Sequence, residues 1–186
     1  MKKALVILGV LVLIIGAYLW STYNSLISAN EAINNQWAQV ETQYQRRFDL
    51  IPNLVESVKG VMAQEQKVFG DIAAARASYT NASGADQKAE AATQVEGALS
   101  RLIAIMENYP QIKSAENVQT LMAQLEGTEN RISVERKRYN DVVQSFNVKI
   151  KRIPTNIVAG WLGYSEKKYF EAQNGTENAP KVDLQS

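Results

Sequence analysis

The sequence predicts an all-α protein: an amino-terminal transmembrane helix continuing into an antiparallel long-helix (four-helix) bundle, with a short C-terminal amphipathic helix. Three observations carry this. No charged residue stands between Lys3 and Glu31. Apolar residues recur at alternating spacings of four and three through four later segments, the pattern of helices packed at about 20°. No stretch alternates with period two long enough to argue a strand. The expected divisions are an anchor over 1–22, a bundle over 23–153, a short amphipathic membrane-proximal segment over 154–170 and a polar flexible tail over 171–186.

Ala4 to Trp20 is almost purely aliphatic and spans about 25 Å as a helix. Trp20 and Tyr23 suit one lipid interface and Lys2 and Lys3 the other, which extends the match to a bilayer core. Two lysines before an apolar run also begin a signal peptide, but no small-x-small cleavage site follows Trp20 closely. Lys2 and Lys3 place the amino terminus in the cytoplasm and the bundle outside it, across a bacterial inner membrane. Gly9, Gly16 and Ala17 offer a face on which neighbouring spans can approach, so a homo-oligomer through span and bundle is expected.

Beyond the span, prolines and one polar break predict four helices: Ser21 to Ile51, Pro52 to Tyr79, Asp86 to Tyr109 and Ala115 to Ile153. The loop between the second and third carries Ser83 and Asp86 in the manner of a capping box. The first seam runs Ile33, Trp37, Val40, Tyr44, Arg47, Ile51, and the second Leu54, Val58, Val61, Glu65, Val68, Ile72, Ala75, Tyr79. The third runs Val95, Leu99, Leu102, Met106, Tyr109, and the fourth runs from Val118 through Leu125, Ile132 and Val143 to Ile153.

Arg47, Glu65, Glu129 and Arg136 interrupt these seams. A buried charge needs a partner. Glu129 and Arg136 stand about 10 Å apart along one helix, so each should pair across helices, Glu129 for instance with Arg46, Arg47, Arg76 or Arg101. Two readings are open: a polar layer that fixes register, or a ligand pocket. Near the end of the first predicted helix, Arg46 and Arg47 face the negative end of its dipole, while Pro52 opens the next helix and Asp49 and Asn53 take up free backbone donors. This reads as a structural helix corner, with a contact surface at the end of the bundle far from the membrane as the alternative. Lys149, Lys151, Arg152, Trp161, Leu162, Lys167 and Lys168 interleave cations with aromatic and aliphatic residues, as at a lipid interface. The same apolar residues could instead cap the open end of the core.

Composition narrows the chemistry. Twenty basic residues nearly balance 19 acidic ones, and the chain has no histidine and no cysteine. The balance argues against a nucleic-acid partner. Thiol nucleophiles, Ser-His-Asp triads, His/Cys zinc sites and carboxylate-histidine iron sites are absent. No catalytic residue, cofactor or metal is expected.

Arg46-Arg47-Phe48-Asp49-Leu50-Ile51-Pro52-Asn53-Leu54-Val55, with Tyr23-Asn24, Trp37, Ala75-Arg76, Glu107-Asn108-Tyr109-Pro110, Thr128-Glu129-Asn130-Arg131-Ile132, Arg136, Tyr139-Asn140 and Phe146-Asn147, resembles the LemA family of bacterial membrane proteins. The resemblance implies one amino-terminal span and a soluble helical bundle. That family includes a magnetosome-membrane protein and has no agreed biochemical activity. Its members are often encoded beside a TPM-domain protein, which makes such an envelope protein an expected partner besides the lipid bilayer. The expected function is a non-catalytic, self-assembling scaffold of the cell envelope that organises or shapes membrane or partner proteins. The alternative is a membrane-tethered binding or sensor module that uses the polar residues inside the bundle.

Overall fold

The computed structural model describes residues 2–170, which form helices and no strand. In order these are α1 (Lys2–Lys59), α2 (Gln66–Asn81), α3 (Gly84–Met106), α4 (Pro110–Lys113), α5 (Glu116–Lys151) and α6 (Thr155–Trp161). The polar tail expected over 171–186 lies outside the described residues.

The first part of α1 stands alone. Every described residue before Leu19 is exposed, and the first buried position is Thr22. Among the described residues this is the one helix long and apolar enough to cross a membrane. Without a break it continues into the packed body, where Leu26, Ile33, Val40, Tyr44 and Ile51 are buried. α5 runs antiparallel along it: Lys149 Nζ donates to Ser25 Oγ at 3.0 Å near one end, Gln36 Nε2 donates to Glu135 at 2.7 Å in the middle, and Asn117 Nδ2 donates to Ser57 Oγ at 3.4 Å at the other. α2 and α3 form a second antiparallel pair, with Asp71 and Arg101 3.6 Å apart. The two pairs share one core. Tyr79 of α2 meets Phe48 of α1 edge-on at 4.5 Å and Tyr44 at 5.9 Å. These rings fill the space between the pairs.

The predicted corner at Arg46 to Asn53 is not a corner. α1 passes through Pro52 and ends at Lys59, and the chain turns over residues 60–65. An interior proline forfeits one helical hydrogen bond and costs about 3 kcal/mol. Ile51, Leu54 and Val58 are fully buried on the same helix, and each is worth about 1.5–3 kcal/mol. Burial therefore outweighs the proline. The turn also shifts the seam, so that Met62 is buried and Val61 exposed.

Two other boundaries move. α3 ends at Met106, and the separate turn of α4 buries Ile112 before α5 begins. α5 ends at Lys151, which leaves Ile153 83% exposed rather than on the seam. At the head of α3 the expected Ser83–Asp86 box is replaced: Ser83 makes no side-chain cap, and its backbone N–H donates to Gln87 Oε1 at 3.0 Å. Gly84 follows at φ +76°, a conformation that disfavours any residue with a Cβ.

Because Pro52 lies inside a helix, Pro52→Ala is expected to stabilise the folded chain by about 1–2 kcal/mol, the helix gain less the proline's restriction of the unfolded chain. Denaturant unfolding of the detergent-solubilised protein checks this. A loss of stability would restore the corner.

Candidate functional site

Three of the four charged residues that interrupt the seams, Arg47, Glu129 and Arg136, meet in one layer midway along the body, and they are joined there by one that sequence reasoning missed. Arg47 of α1 pairs with Glu129 of α5, and its Nη1 also lies 3.6 Å from Glu96 of α3. Arg136 of α5 pairs with the same Glu96 carboxylate, and its Nε donates to the Tyr44 hydroxyl at 2.9 Å. Two arginines thus face two carboxylates across three helices. The side chains of Arg47 and Glu96 are 9% and 7% exposed, whereas Glu129 is 45% exposed.

Burial is the largest influence on Glu96 and raises its pKa, with the positive charge of Arg136 opposing. Burial works against the Arg136 guanidinium, but Tyr44 and Glu96 outweigh it and hold its pKa above the usual value. Tyr44 is pushed up to about 12, chiefly by burial. The layer is balanced in charge, yet Arg47 Nε is buried without a hydrogen-bond partner.

Glu65 does not belong to this layer. It ends the turn before α2 and accepts from the Tyr109 hydroxyl at 3.4 Å. Glu96 escaped notice because it follows the seam residue Val95. The helix buries a broad face, however, and Ala92 and Glu96 lead at spacings of four and three into Leu99 of the main stripe. That spacing was the available signal.

Beside the layer, a cleft of about 620 Å³ opens between α3, α4 and α5. Leu99, Ile103, Met106, Val118 and Met122 line it, with Arg47 and Glu129 on one wall and Lys113 elsewhere on its rim. The helix-corner residues are dispersed along α1. Arg46, Asp49 and Asn53 are exposed there, and Asp49 accepts only from Gln45 of its own helix at 3.1 Å.

The residues expected at a lipid interface divide into two groups. α6 packs against α1 and α5, burying Val158 and Ala159 and partly burying Leu162, while Trp161 remains 75% exposed. Lys149 and Lys151 belong to the last turn of α5, Arg152 follows it, and Lys151 pairs with Glu166 at 2.9 Å. Trp20 and Tyr23 are exposed on α1 on either side of Thr22, the first buried position, and Lys2 and Lys3 lie at its far end. Gly9, Gly16 and Ala17 are likewise exposed.

Lys167 and Lys168 are placed by a different set of contacts. After Gly163 the chain runs back along α5. Asn147 Nδ2 donates to the Lys167 carbonyl at 2.8 Å, and its Oδ1 accepts from the Lys167 N–H at 2.9 Å. One heptad further from the end of α5, Asn140 holds Phe170 in the same two-bond manner, at 3.0 and 2.8 Å. Lys168 Nζ comes within 3.4 Å of Asp86 at the head of α3. Phe170 stacks on Trp37 at 5.7 Å and meets Tyr139 edge-on at 5.1 Å, and the Arg136 guanidinium lies 5.4 Å from its ring centre. These asparagines carry the backbone from beside Asn147, near the end of α5, to beside Asn140.

The difference in burial between the two carboxylates sets different costs for losing them. Glu96→Ala leaves Arg136 and Arg47 facing a site with too little negative charge, and is expected to destabilise the chain by about 3–5 kcal/mol. Glu129→Ala, at a half-exposed position, should cost about 1 kcal/mol or less. Denaturant unfolding of the two variants checks the ranking, and equal costs would refute the layer as described.

Two magnetosome proteins of Paramagnetospirillum magneticum, MamQ 1 and MamQ 2, are each 26% identical to the chain over 195 residues, covering 90% of it and 72% of their own length. Magnetosome protein MamQ of Magnetospirillum gryphiswaldense is 25% identical over 174 residues, covering 80% of the chain and 64% of its own. Residues 36–184, which hold the charged layer, the cleft and both clamping asparagines, match the LemA family, and the chain belongs to that family.

Proposed function

We propose that the chain is a single-pass, membrane-anchored scaffold of the bacterial cell envelope. It self-assembles and organises or shapes membrane or partner proteins, with no chemistry of its own. The observation that carries this reading is the unbroken α1, whose exposed apolar part and buried part belong to one helix of 58 residues. In a bilayer such a helix transmits the tilt and spacing of the span to the body without a flexible joint. The magnetosome proteins among its relatives support a membrane setting. In this reading the two antiparallel pairs act as one four-helix bundle. Lys2 and Lys3 keep the amino terminus cytoplasmic, and Gly9, Gly16 and Ala17 let neighbouring spans approach.

Ile153, Ile157 and Trp161 are exposed beside Lys149, Lys151 and Arg152, on a helix packed against α1. We assign this patch to the lipid headgroup boundary, with its cations toward anionic lipids. The cleft beside the charged layer favours a second reading, a tethered binding module. A ligand there would meet an apolar wall and the half-exposed Glu129.

The particle extracted into nanodiscs is expected to contain several copies of the chain by mass photometry, and a strictly monomeric 20.7 kDa protein would sink the scaffold. The chain has three tryptophans, so a Trp20→Phe, Trp37→Phe variant reports on Trp161 alone. Its fluorescence should fall severalfold with bromine-labelled lipid in the bilayer. Unchanged emission would remove α6 from the interface.

A further inference from the structure

Residues 164–170 are held as a bound peptide is held. Among the described residues, the backbone-to-backbone hydrogen bonds outside the helices end with Tyr164 N–H donating to the Ala159 carbonyl at 3.0 Å. Beyond it, both backbone groups of Lys167 and both of Phe170 are satisfied by the amide side chains of Asn147 and Asn140. Such bonds read an extended backbone rather than its side chains, much as β-strand addition does. Sequence preference enters through the two end rings: Tyr164 meets Phe146 edge-on at 5.5 Å, and Phe170 fills the niche of Trp37 and Tyr139 under Arg136. Apart from the Tyr164 N–H bond to its own α6, none of these contacts depends on the segment and the groove belonging to the same molecule.

Two further features bear on what occupies the groove. The segment leaves α6 through Gly163 at φ +69°, a left-handed helix cap closed by the Tyr164 N–H bond to Ala159, so a change of direction there has only that cap to open. The groove itself lies on α1 and α5, and α1 is also the apolar helix assigned to the membrane. Copies anchored by the same helix hold their grooves and their 164–170 segments at one height above the bilayer. That confinement raises the effective concentration of a neighbour's segment toward that of the chain's own. Exchange of an identical element between copies needs no new surface.

We infer that the groove formed by Trp37, Tyr139, Asn140 and Asn147 is a self-assembly site, filled in the membrane by residues 164–170 of a neighbouring copy. The exchange deepens the scaffold reading and rests on it, since it supplies a contact between copies outside the spans. Phe170 is its anchor, the paired asparagines fix its register, and Lys168 facing Asp86 adds a charge contact at the rim.

The absence of cysteine makes the test clean. Asp86 and Lys168 are both largely exposed and lie together only when the segment is seated. Full-length Asp86→Cys and Lys168→Cys chains, carrying different tags, are co-expressed and mildly oxidised in native membranes. Exchange predicts a disulfide-linked heterodimer bearing both tags, at several times the yield obtained when Lys67→Cys, on the exposed face of α2, replaces Asp86→Cys. Adding Asn140→Ala and Asn147→Ala to the Asp86→Cys chain should reduce the yield to that control level. A heterodimer yield no higher than the control overturns the proposal, whether the double variant Asp86→Cys, Lys168→Cys links within one chain or not at all. Nanodisc particle mass keeps the two readings apart. Multiple copies without the trans link defeat exchange alone, and single copies defeat the scaffold as well.

Discussion

Glu96 is the residue on which the two helix pairs converge. It projects from α3 between Arg136 and Arg47, which belong to α5 and α1. A carboxylate buried to this degree is tolerable only while both guanidiniums stay in place. The aromatic contacts of Tyr79 with Phe48 and Tyr44 are less exacting, because apolar packing accepts small shifts that a buried charge does not. A slip of one heptad would carry each arginine about 10 Å along its helix and strand the carboxylate. The layer therefore sets the register of the second pair on the first. Arg136 extends the same constraint outward, since the guanidinium that meets Glu96 also covers the ring of Phe170.

The continuous α1 imposes a second constraint. Helix and span cannot move independently where no loop separates them, and Pro52, the residue that would most readily break the helix, lies well beyond the point where burial begins. Opposite this helix, α5 returns to the level of Ser25, and α6 packs beside its end. Exposed cations and apolar residues thus gather where α1 leaves the body. The clamped segment then climbs away from that end. The body consequently has two surfaces of different character: an end where exposed cations and apolar residues gather, and a flank that holds an extended chain.

Much of this was legible in the sequence. The four-three spacing names Ile33, Val40, Tyr44, Leu99, Ile132 and Phe146, all of them buried, because each helix must turn one face inward whatever its neighbours are. Arg47, Glu129 and Arg136 stood out as charges on those faces. The corner at Pro52 was misplaced because a local rule for proline was applied where three buried aliphatic residues outweigh it. Lys167 and Lys168 were assigned to the base because their composition suits it. Their position follows from Asn140 and Asn147, each of which comes just after a buried aromatic residue and whose backbone partners no spacing along the chain reveals.

By itself the sequence determined the helical class, the apolar span and the positions of the seams. Those depend on residue spacing within one helix, and spacing is a local property. Only the tertiary structure decided that Glu96 completes the charged layer, that the chain turns at residues 60–65, and that two asparagines hold a segment twenty to thirty residues further on. Each of these depends on which helix faces which, and at what height. That relation is set by burial and charge pairing summed over the whole body, so no single stretch of residues contains it.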